Sequence, residues 1–497
     1  MLTRRAVLGR AVLGGAIGAA GALTLAGGVW PARSSNAATA RAVQSLPPRP
    51  PHSGGRLHDW TIVAQEGRAR LLGEDKPAST VWTFGDTLMP VRRVRIGDSI
   101  RATMINRLPD HTSMHWHGLR IPNAMDGVPY VTQLPVQTGE RFVYSFTPPD
   151  TGTFFFHPHC NEAGQVGRGL AGVLIVEGDE QRASDADHVM VIKDWRLAPD
   201  GGWLDFETPE GASRAGTFGT VRAVNAGPTV TADVPAHGDI RLRLLNLDGT
   251  RQIEAGVDGA DAVVIAIDGN PIDPFPLHTW RFAPAMRLDI LVRAPAAGQS
   301  FTVYDYFAAE PYPLGRFASV PSSKSARPFE PAPLYASDIP RADLATAERL
   351  PFEFSAAPGS PAAAVSDLPD DDPLKDVLLD SLCVGSRTFW AINRQTWPGG
   401  DHRNLPPPLA RLTAGRSYIF EMVNSTPHPH PIHLHGHTFE VLSSSRQKLP
   451  RFLADTVLMQ PRERIEITFV AAPGNWMFHC HVLEHLETGM MGWLKVT

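Results

Sequence analysis

The chain has 497 residues, of which 43% are apolar and 20% charged, the proportions of a soluble globular protein with a large core. Its net charge of −5 and its lack of basic runs argue against nucleic-acid binding. At ~150 residues per domain, this length predicts roughly three domains.

Residues 1–40 have the character of an export signal. Arg4 and Arg5 form a twin-arginine-like motif, and the uncharged run 11–30 is diluted with Gly and Ala, which suits export better than a permanent membrane span. Cleavage after the small residues 38–40 would remove four arginines and no acid, taking the net charge from −5 to −9. We expect a periplasmic or secreted protein, exported by the twin-arginine pathway, with no membrane segment in its mature form.

Short alternating strands separated by turns, with 44 Gly and 45 Pro in the chain, predict an all-β protein of antiparallel β-sandwiches throughout. The first domain, at 41–182, contains two histidine pairs spaced His-x-His. In a strand such a pair points to one face, where both imidazoles can reach a metal site. The pairs are His115 with His117 and His157 with His159.

The pattern around these pairs occurs twice in the chain. Residues 95–118 match 412–436, and 149–157 is echoed by 473–479. The first and last domains are therefore related, and both carry histidine pairs. Between them, 183–320 keeps the strand alternation without any His-x-His, which predicts a middle domain of the same fold without a metal site.

A long connection is expected at 321–372, because this segment is rich in Pro, Ala and Ser. It ends in an acidic stretch, 369–372, that we interpret as a solvated turn. The last domain is then expected at 373–497.

The last domain contains the most informative segment, His479-Cys480-His481. Successive side chains of a strand alternate between its faces, so Cys480 points away from both histidines. One tripeptide can therefore ligate two metal sites back to back. With His485 and Met490 downstream, the segment supplies all but one imidazole of a trigonal blue-copper site.

The missing imidazole is available in the segment 430–436. By strand parity His433 and His435 share one face, whereas His430 faces the other side. Ten of the 19 histidines fall in four short motifs of this kind, and one motif encloses a cysteine. A chance pairing of structural histidines does not explain that set.

With these motifs the chain resembles the multicopper oxidases, the laccase superfamily, from about Leu57 to the C-terminus. The resemblance implies three cupredoxin-like Greek-key β-sandwich domains and four copper ions. It also implies that a reductant gives single electrons to a type 1 copper. Four such electrons then reduce dioxygen to two waters at a trinuclear cluster between the outer domains.

The resemblance also implies a ligand set for each copper. The type 1 copper would be bound by Cys480, His430 and His485, with Met490 as its axial neighbour. The remaining ligands would be His115 and His433 for the type 2 copper, and His117, His157, His159, His435, His479 and His481 for the binuclear type 3 pair.

Dioxygen reduction consumes protons, so an acid near the cluster is required. The family carries an acidic residue after the first histidine pair, and Asp126 is the candidate here, with a plain Asp-Gly turn as the alternative interpretation. Many bacterial relatives carry Glu directly after the last type 1 histidine. That position is Leu486 in this chain, and Glu487 follows it, which makes Glu487 the candidate for a second proton donor.

The segment 120–129 most resembles bacterial laccase-type enzymes, including a group associated with manganese oxidation. For the reductant, this resemblance implies phenols and aromatic amines, with Mn(II), Cu(I) or Fe(II) as the alternative. Cuprous oxidases of the copper-efflux type add a Met-rich insertion and place Asp and Met just before the type 1 histidine. Here those positions hold Thr426 and His428, and the 12 methionines are scattered. His428 shares strand parity with His430, so it could line the substrate pocket, but we interpret it as an exposed turn histidine.

Three other protein classes fit the residues less well. A copper nitrite reductase uses the same sandwich but needs two domains and far fewer histidines. An export scaffold that keeps this fold without copper is excluded, because every ligand residue is present. A copper-sequestering protein would carry flexible Met or His tracts rather than fixed pairs.

The other two cysteines leave two alternatives open. Cys160 and Cys383 can form a disulfide in an oxidising compartment, or both can remain free buried thiols. The expected partners are dioxygen and a small reducing substrate, and we expect a monomer.

Overall fold

The computed structural model describes residues 46–51, 54–358, 389–398 and 405–497. Strands predominate in these ranges and form six sheets. The sheets pack in pairs: in the first pair, Ile100 and Leu174 come from different sheets but belong to the same buried hydrophobic cluster. The protein is therefore all-β, built of sandwiches, as the sequence predicts.

The first sandwich consists of β1 (Leu57–Ala69), β2 (Ser79–Phe84), β3 (Val91–Arg95), β4 (Ser99–Asn106), β5 (His115–His117), β6 (Arg141–Phe146), β7 (Gly152–His157) and β8 (Gly172–Glu177). Its sheets have the orders β2-β1-β4-β6 and β3-β8-β7-β5. A 3₁₀ turn (Asn123–Met125) lies between β5 and β6, and helix α1 (Glu162–Gly167) follows β7. Because β5 pairs with β7, the two histidine motifs lie on neighbouring strands.

The second sandwich consists of β9 (Ala186–Ile192), β10 (Val230–Pro235), β11 (Asp239–Asn246), β12 (Ile253–Asp258), β13 (Ala262–Ile267), β14 (Asn270–Pro276), β15 (Trp280–Phe282), β16 (Arg287–Arg293), β17 (Ser300–Asp305) and β18 (Tyr312–Val320), with helix α2 (Pro209–Ser213) after β9. Its sheets have the orders β10-β18-β17-β12-β15 and β14-β13-β16-β11-β9. All residues of β11 are buried, because its polar face packs on the first sandwich. There Arg243 donates to the Thr153 hydroxyl at 2.9 Å.

The third sandwich consists of β19 (Glu348–Ala356), β20 (Trp390–Ile392), β21 (Ala410–Leu412), β22 (Ser417–Asn424), β23 (His430–Leu434), β24 (Phe439–Ser444), β25 (Phe452–Ala454), β26 (Thr456–Met459), β27 (Arg464–Val470), β28 (Gly474–Cys480) and β29 (Met491–Val496). Its sheets have the orders β20-β19-β22-β27-β24-β25 and β21-β29-β28-β23-β26. Helix α3 (Leu483–Glu487) connects β28 to β29. No helix in the described ranges is long and apolar enough to cross a membrane.

The prediction of antiparallel sandwiches holds for most strand pairs but not for all of them. In the described part of the chain, each of the six sheets contains one parallel pair. The chain passes between the two sheets of a sandwich, so neighbouring strands are distant in sequence and need no hairpin between them. The parallel pairs are β1 with β4, β3 with β8, β9 with β11, β10 with β18, β19 with β22 and β21 with β29.

Strand β19 lies inside the segment 321–372, which the sequence analysis predicts to be a connection. Phe352 and Phe354 are buried from this strand, and their alternation with exposed residues is a strand signal. The signal is masked by Pro351, which lacks a backbone N–H. The structure tolerates this proline because β20 pairs with β19 only from Phe354 onward.

Three features named in the sequence analysis lie outside the described residues: the export signal in 1–40, the acidic stretch 369–372, and Cys383. The alternatives for Cys160 and Cys383 therefore stay open. Cys160 is buried, with its Sγ 3.9 Å from the Ser113 hydroxyl. Burial raises the pKa of its thiol.

Candidate metal centres

Two antiparallel strand pairs bring the histidine motifs together. In the third sandwich β23 pairs with β28, which sets His433 opposite His479. In the first sandwich β5 pairs with β7, which sets His115 opposite His157. Directly opposite residues share a face of the sheet, so each pairing doubles the number of imidazoles on one face.

The first group of donor atoms consists of His430, Cys480 and His485, whose ligand atoms all lie within 4.8 Å of one another. The two Nδ1 atoms are 3.0 Å apart, and they lie 3.5 and 3.7 Å from Cys480 Sγ. All three side chains are fully buried, and so is Met490. The main-chain O of Met490 accepts a hydrogen bond from Cys480 N, so the four predicted type 1 residues lie together.

The outer nitrogens of this group are already hydrogen-bonded. His485 Nε2 donates to the main-chain O of Arg214 at 2.6 Å, and His430 Nε2 lies 2.8 Å from the Thr426 hydroxyl. The Nδ1 lone pairs are therefore left for a metal. Burial lowers the pKa of His485 to about 3 and raises that of the Cys480 thiol. Because the thiol pKa is raised, a thiolate at Cys480 requires a bound cation beside it. Neutral imidazoles together with a thiolate are ligands that suit copper.

The second group is a cluster of eight buried histidines between the first and third sandwiches. His115 stacks on His435 with 3.9 Å between ring centroids, and His117 stacks on His433 with 3.8 Å. Each stack joins the two sandwiches. The cluster consists of His115, His117, His157 and His159 from the first sandwich and His433, His435, His479 and His481 from the third, each at most 5% exposed.

Many ring nitrogens in this cluster are buried without a hydrogen-bond partner. Leaving one buried polar atom unsatisfied costs about 1–3 kcal/mol, so a set of them indicates a missing ligand. Burial and the neighbouring imidazoles hold the pKa of most of these histidines well below 6.5, which keeps the lone pairs free for a metal. The unpartnered atoms are His115 Nε2, His117 Nδ1, His157 Nε2, His159 Nε2, His433 Nε2 and both nitrogens of His481.

Except in His481, the opposite ring nitrogens lie against acceptors, which fixes the tautomers of those imidazoles. Main-chain carbonyls serve this purpose for several of them. The pairs are His115 Nδ1 with Asp126 O at 2.7 Å, His157 Nδ1 with Pro158 O at 2.8 Å, His433 Nδ1 with Asp455 O at 2.8 Å, and His479 Nδ1 with Cys480 O at 2.9 Å.

Asp126 lies where the 3₁₀ turn after β5 ends, and it is 1% exposed. Its Oδ2 accepts a hydrogen bond from His435 Nδ1 at 3.0 Å, and its Oδ1 lies 3.2 Å from His115 Nδ1. A single carboxylate therefore touches a histidine from each side of the cluster. Its place in the structure is the one expected for a proton donor, and that role stays a prediction.

Glu162, which the sequence analysis does not identify, is a further carboxylate at the cluster. It begins α1, is 1% exposed, and places its Oε1 2.9 Å from His159 Nδ1. Burial raises the pKa of Glu162 to about 8. Its position three residues after the His157–His159 pair, at the start of a helical turn, is the signal that points to it.

Glu487, the predicted second donor, lies behind Glu162. Its Oε1 accepts a hydrogen bond from the Glu162 backbone N–H at 2.6 Å, across the contact between α1 and α3. Burial and the charge of Glu162 raise the pKa of Glu487 to about 7. Glu487 is thus connected to the cluster through Glu162, and its role in proton supply stays a prediction.

The interpretation of His428 as an exposed turn histidine is wrong. It is 9% exposed, and its ring lies 5.9 Å from that of the fully buried Trp390. Trp390 also contacts the rings of His430 and His485, at 5.3 and 4.8 Å. The turn is buried because this tryptophan covers it.

A shallow cleft lies next to the first group of donors. Pro429 and Pro431, on either side of His430, form part of its wall, and Val482 forms another part. Phe218 and Phe307 of the second sandwich stand at its edge, each 45% exposed. The other lining residues are Ala215, Thr250, Gln252 and Pro284, so the cleft is mostly apolar and its polar side chains are neutral.

Comparisons with known proteins agree with this arrangement. Three family models described as multicopper oxidase match residues 65–181, 187–320 and 377–497. The multicopper oxidase MmcO of Mycobacterium tuberculosis is 27% identical over 490 residues, covering 93% of this chain and 91% of that protein.

Two solved structures are more similar in sequence. A multicopper oxidase from Pseudomonas thermotolerans is 35% identical with a TM-score of 0.78, covering 89% of this chain and all of that one. A multicopper oxidase from Pseudomonas parafulva is 36% identical with a TM-score of 0.74, covering 88% of this chain and all of that one.

Proposed function

Because this chain belongs to the multicopper oxidase family, we propose that it couples four one-electron oxidations of phenols or aromatic amines to the reduction of dioxygen to two waters. The observation that carries the proposal is the division of donors around residues 479–481. Cys480 joins His430 and His485 on one side of β28, whereas His479 and His481 join the cluster on the other.

The family implies bound copper, and the donor atoms fit it. We assign the type 1 site to Cys480, His430 and His485 with Met490, the type 2 site to His115 and His433, and the type 3 pair to the other six cluster histidines. When bound, the coppers would supply the one-electron steps that dioxygen reduction requires. The backbone between Cys480 and its two histidine neighbours provides the covalent path that joins the two sites.

The apolar cleft beside His430 favours an aromatic reductant. Phe218 and Phe307 can stack on a phenol ring, and Pro429 and Pro431 can pack against its edge. A metal cation would meet no carboxylate among the described residues that line the cleft. The outer nitrogens of the type 1 histidines also bond to neutral oxygens, of Arg214 and Thr426, rather than to acids.

Oxidation of Mn(II), Cu(I) or Fe(II) is the alternative. It is supported by the names of relatives such as copper resistance protein A of Escherichia coli and the iron transport multicopper oxidase fio1 of Schizosaccharomyces pombe. The scattered methionines of this chain and the neutral lining of the cleft favour the aromatic reductant instead.

Oxygen uptake by the copper-loaded protein with phenols, aminophenols, Cu(I), Fe(II) and Mn(II) tests the proposal. Phe307→Glu would place a carboxylate at the cleft, and Leu134→Glu would place the same charge at a residue that is 72% exposed on the first sandwich. We expect Phe307→Glu alone to lower kcat/KM for phenols. A wild-type protein that oxidises the metal ions and no phenol would refute the aromatic assignment.

We propose further that the chain is exported by the twin-arginine pathway and acts as a monomer in the periplasm or outside the cell. The Arg4-Arg5 pair supports export. Changing both arginines to lysine should retain the protein in the cytoplasm, and gel filtration of the mature protein should give the mass of one chain.

A further inference from the structure

Arg287 begins β16 in the sandwich that carries none of the predicted copper ligands, and its side chain is fully buried. A guanidinium group has five N–H donors, and here each has an acceptor. Two donate to the carboxylate of Asp455, at 2.8 and 2.6 Å. The other three donate to the main-chain oxygens of Thr153, Ala285 and Asp268, at 3.1, 3.1 and 3.0 Å. Arg287 therefore joins all three sandwiches.

Asp455 extends this contact to two histidines of the cluster. Its Oδ1 lies 3.0 Å from His117 Nε2, and its main-chain O accepts a hydrogen bond from His433 Nδ1 at 2.8 Å. These contacts occupy one nitrogen of each ring. The nitrogens left without a partner are His117 Nδ1 and His433 Nε2, which are then available to copper.

Gly118 makes room for the pair formed by Arg287 and Asp455. A Cβ atom at this position would lie 2.5 Å from Arg287 Nη2 and 2.6 Å from Asp455 Oδ2, far inside contact distance. Its φ of +84° also favours glycine. The motif His115-Trp116-His117-Gly118 therefore supplies two histidines of the cluster. Its glycine also leaves space for Arg287 and Asp455, and Asp455 in turn contacts His117.

Resting on the proposed function, we propose that Arg287 is a positioning residue for dioxygen reduction. Through Asp455 it sets the orientation and tautomer of His117, assigned to the type 3 pair, and of His433, assigned to the type 2 copper. The sandwich without copper ligands thereby takes part in building the cluster. The type 1 site, whose ligands all come from the third sandwich, does not depend on Arg287.

Arg287→Lys tests the proposal because lysine keeps the charge but carries three donors on one nitrogen, which cannot reproduce the five bonds. In the copper-loaded protein we expect the type 2 EPR signal to shift or lose intensity. Reoxidation of the fully reduced enzyme by oxygen should slow by roughly 10- to 100-fold, the usual effect of losing a partner behind a metal ligand. The blue absorption and the rate of type 1 reduction by substrate should not change.

Arg241→Lys is the matched control. Arg241 is also buried in the second sandwich and bonded to two carboxylates, those of Asp179 and Asp289. Within the described residues, neither carboxylate bonds to a cluster histidine. A wild-type type 2 signal and reoxidation rate in Arg287→Lys would overturn the proposal. So would equal changes in the two variants, because they would indicate general loosening of the sandwich.

If Arg287→Lys does not fold, Asp455→Asn tests the same link. Asparagine keeps the side-chain shape and leaves Arg287 in place, but it turns one of the two oxygens that accept from Arg287 into an NH₂ group. We expect the same shift or loss of the type 2 signal, and an unchanged signal would overturn the proposal. A wild-type protein without blue absorption or oxygen uptake would instead refute the proposed function, which separates the two failures.

Discussion

Asp126→Asn tests whether the buried carboxylate beside the cluster supplies protons to dioxygen. One of its oxygens accepts a hydrogen bond from His435 Nδ1 at 3.0 Å, and the other lies 3.2 Å from His115 Nδ1. Asparagine keeps the shape but replaces one oxygen with an NH₂ group. A donor then faces an imidazole N–H in a site that is 1% exposed, and the carboxyl group that would transfer a proton is gone.

An unsatisfied buried polar group costs about 1–3 kcal/mol, which corresponds to a slowing of about 5- to 150-fold if it acts on the barrier. Loss of a general acid alone typically costs about 10²–10⁴-fold. Glu162 at His159 can carry part of the proton flow, which places the expected effect somewhat below that range. We expect reoxidation of the fully reduced enzyme to slow at least about tenfold.

Stopped-flow mixing of reduced enzyme with oxygen at several pH values measures this rate, and the blue absorption should be unchanged. Asp150→Asn is the control, because Asp150 is also a buried acid of the first sandwich but pairs with Arg120. An unaltered rate for Asp126→Asn across the pH range would mean that protons reach dioxygen by another route. Glu162 and Glu487 would then be tested next.

Cys480→Ser should abolish the blue absorption and substrate oxidation together, and a blue band that survives would refute the type 1 assignment. His435→Ala should leave the type 1 copper reducible but slow to reoxidise, so wild-type oxygen turnover would contradict its place in the cluster. Met490→Leu should raise the type 1 potential and keep the copper, whereas a lower potential or lost metal would contradict an axial role. Burial raises the pKa of Glu162 from 4.5 in the unfolded chain to about 8 in the folded protein. The contribution of Glu162 to the free energy of unfolding is therefore fully present below about pH 4.5 and is lost as the pH rises to about 8. Glu162→Gln should therefore raise the melting temperature of the copper-free protein at and above about pH 8 and leave it unchanged at or below about pH 4.5. Equal melting temperatures of the variant and the wild type at every pH would contradict the raised pKa.

The division of donors into two groups was predictable because strand alternation is a local property. Counting positions from Cys480 is enough to place His479 and His481 together and Cys480 apart, and the same count separates His430 from His433. Asp126 was accessible for a similar reason, because it lies a short distance after a recognisable motif. In each case the sequence separation is small.

Other features depend on contacts between distant segments, which no local pattern records. Arg287 reads as an ordinary polar residue of an alternating strand until Asp455 and Gly118 are packed against it. Glu162 reads as the start of a surface helix until α3 covers it. The parallel strand pairs were missed for the same reason, since strand direction is set by the path of the chain between sheets.

The two metal centres depend on different parts of the molecule, although they share one strand. The ligands assigned to the type 1 copper all lie in the third sandwich, although His485 also contacts the second through the main-chain O of Arg214. Thr426 beside His430 and the axial Met490 can tune the type 1 potential without altering that contact. The cluster instead takes four histidines from each outer sandwich, and through Arg287 it also depends on the middle one. Substitutions that change which reductant is oxidised should therefore lie around the type 1 site. Substitutions that change the reaction with oxygen should lie around the cluster, and the backbone on either side of Cys480 joins the two regions.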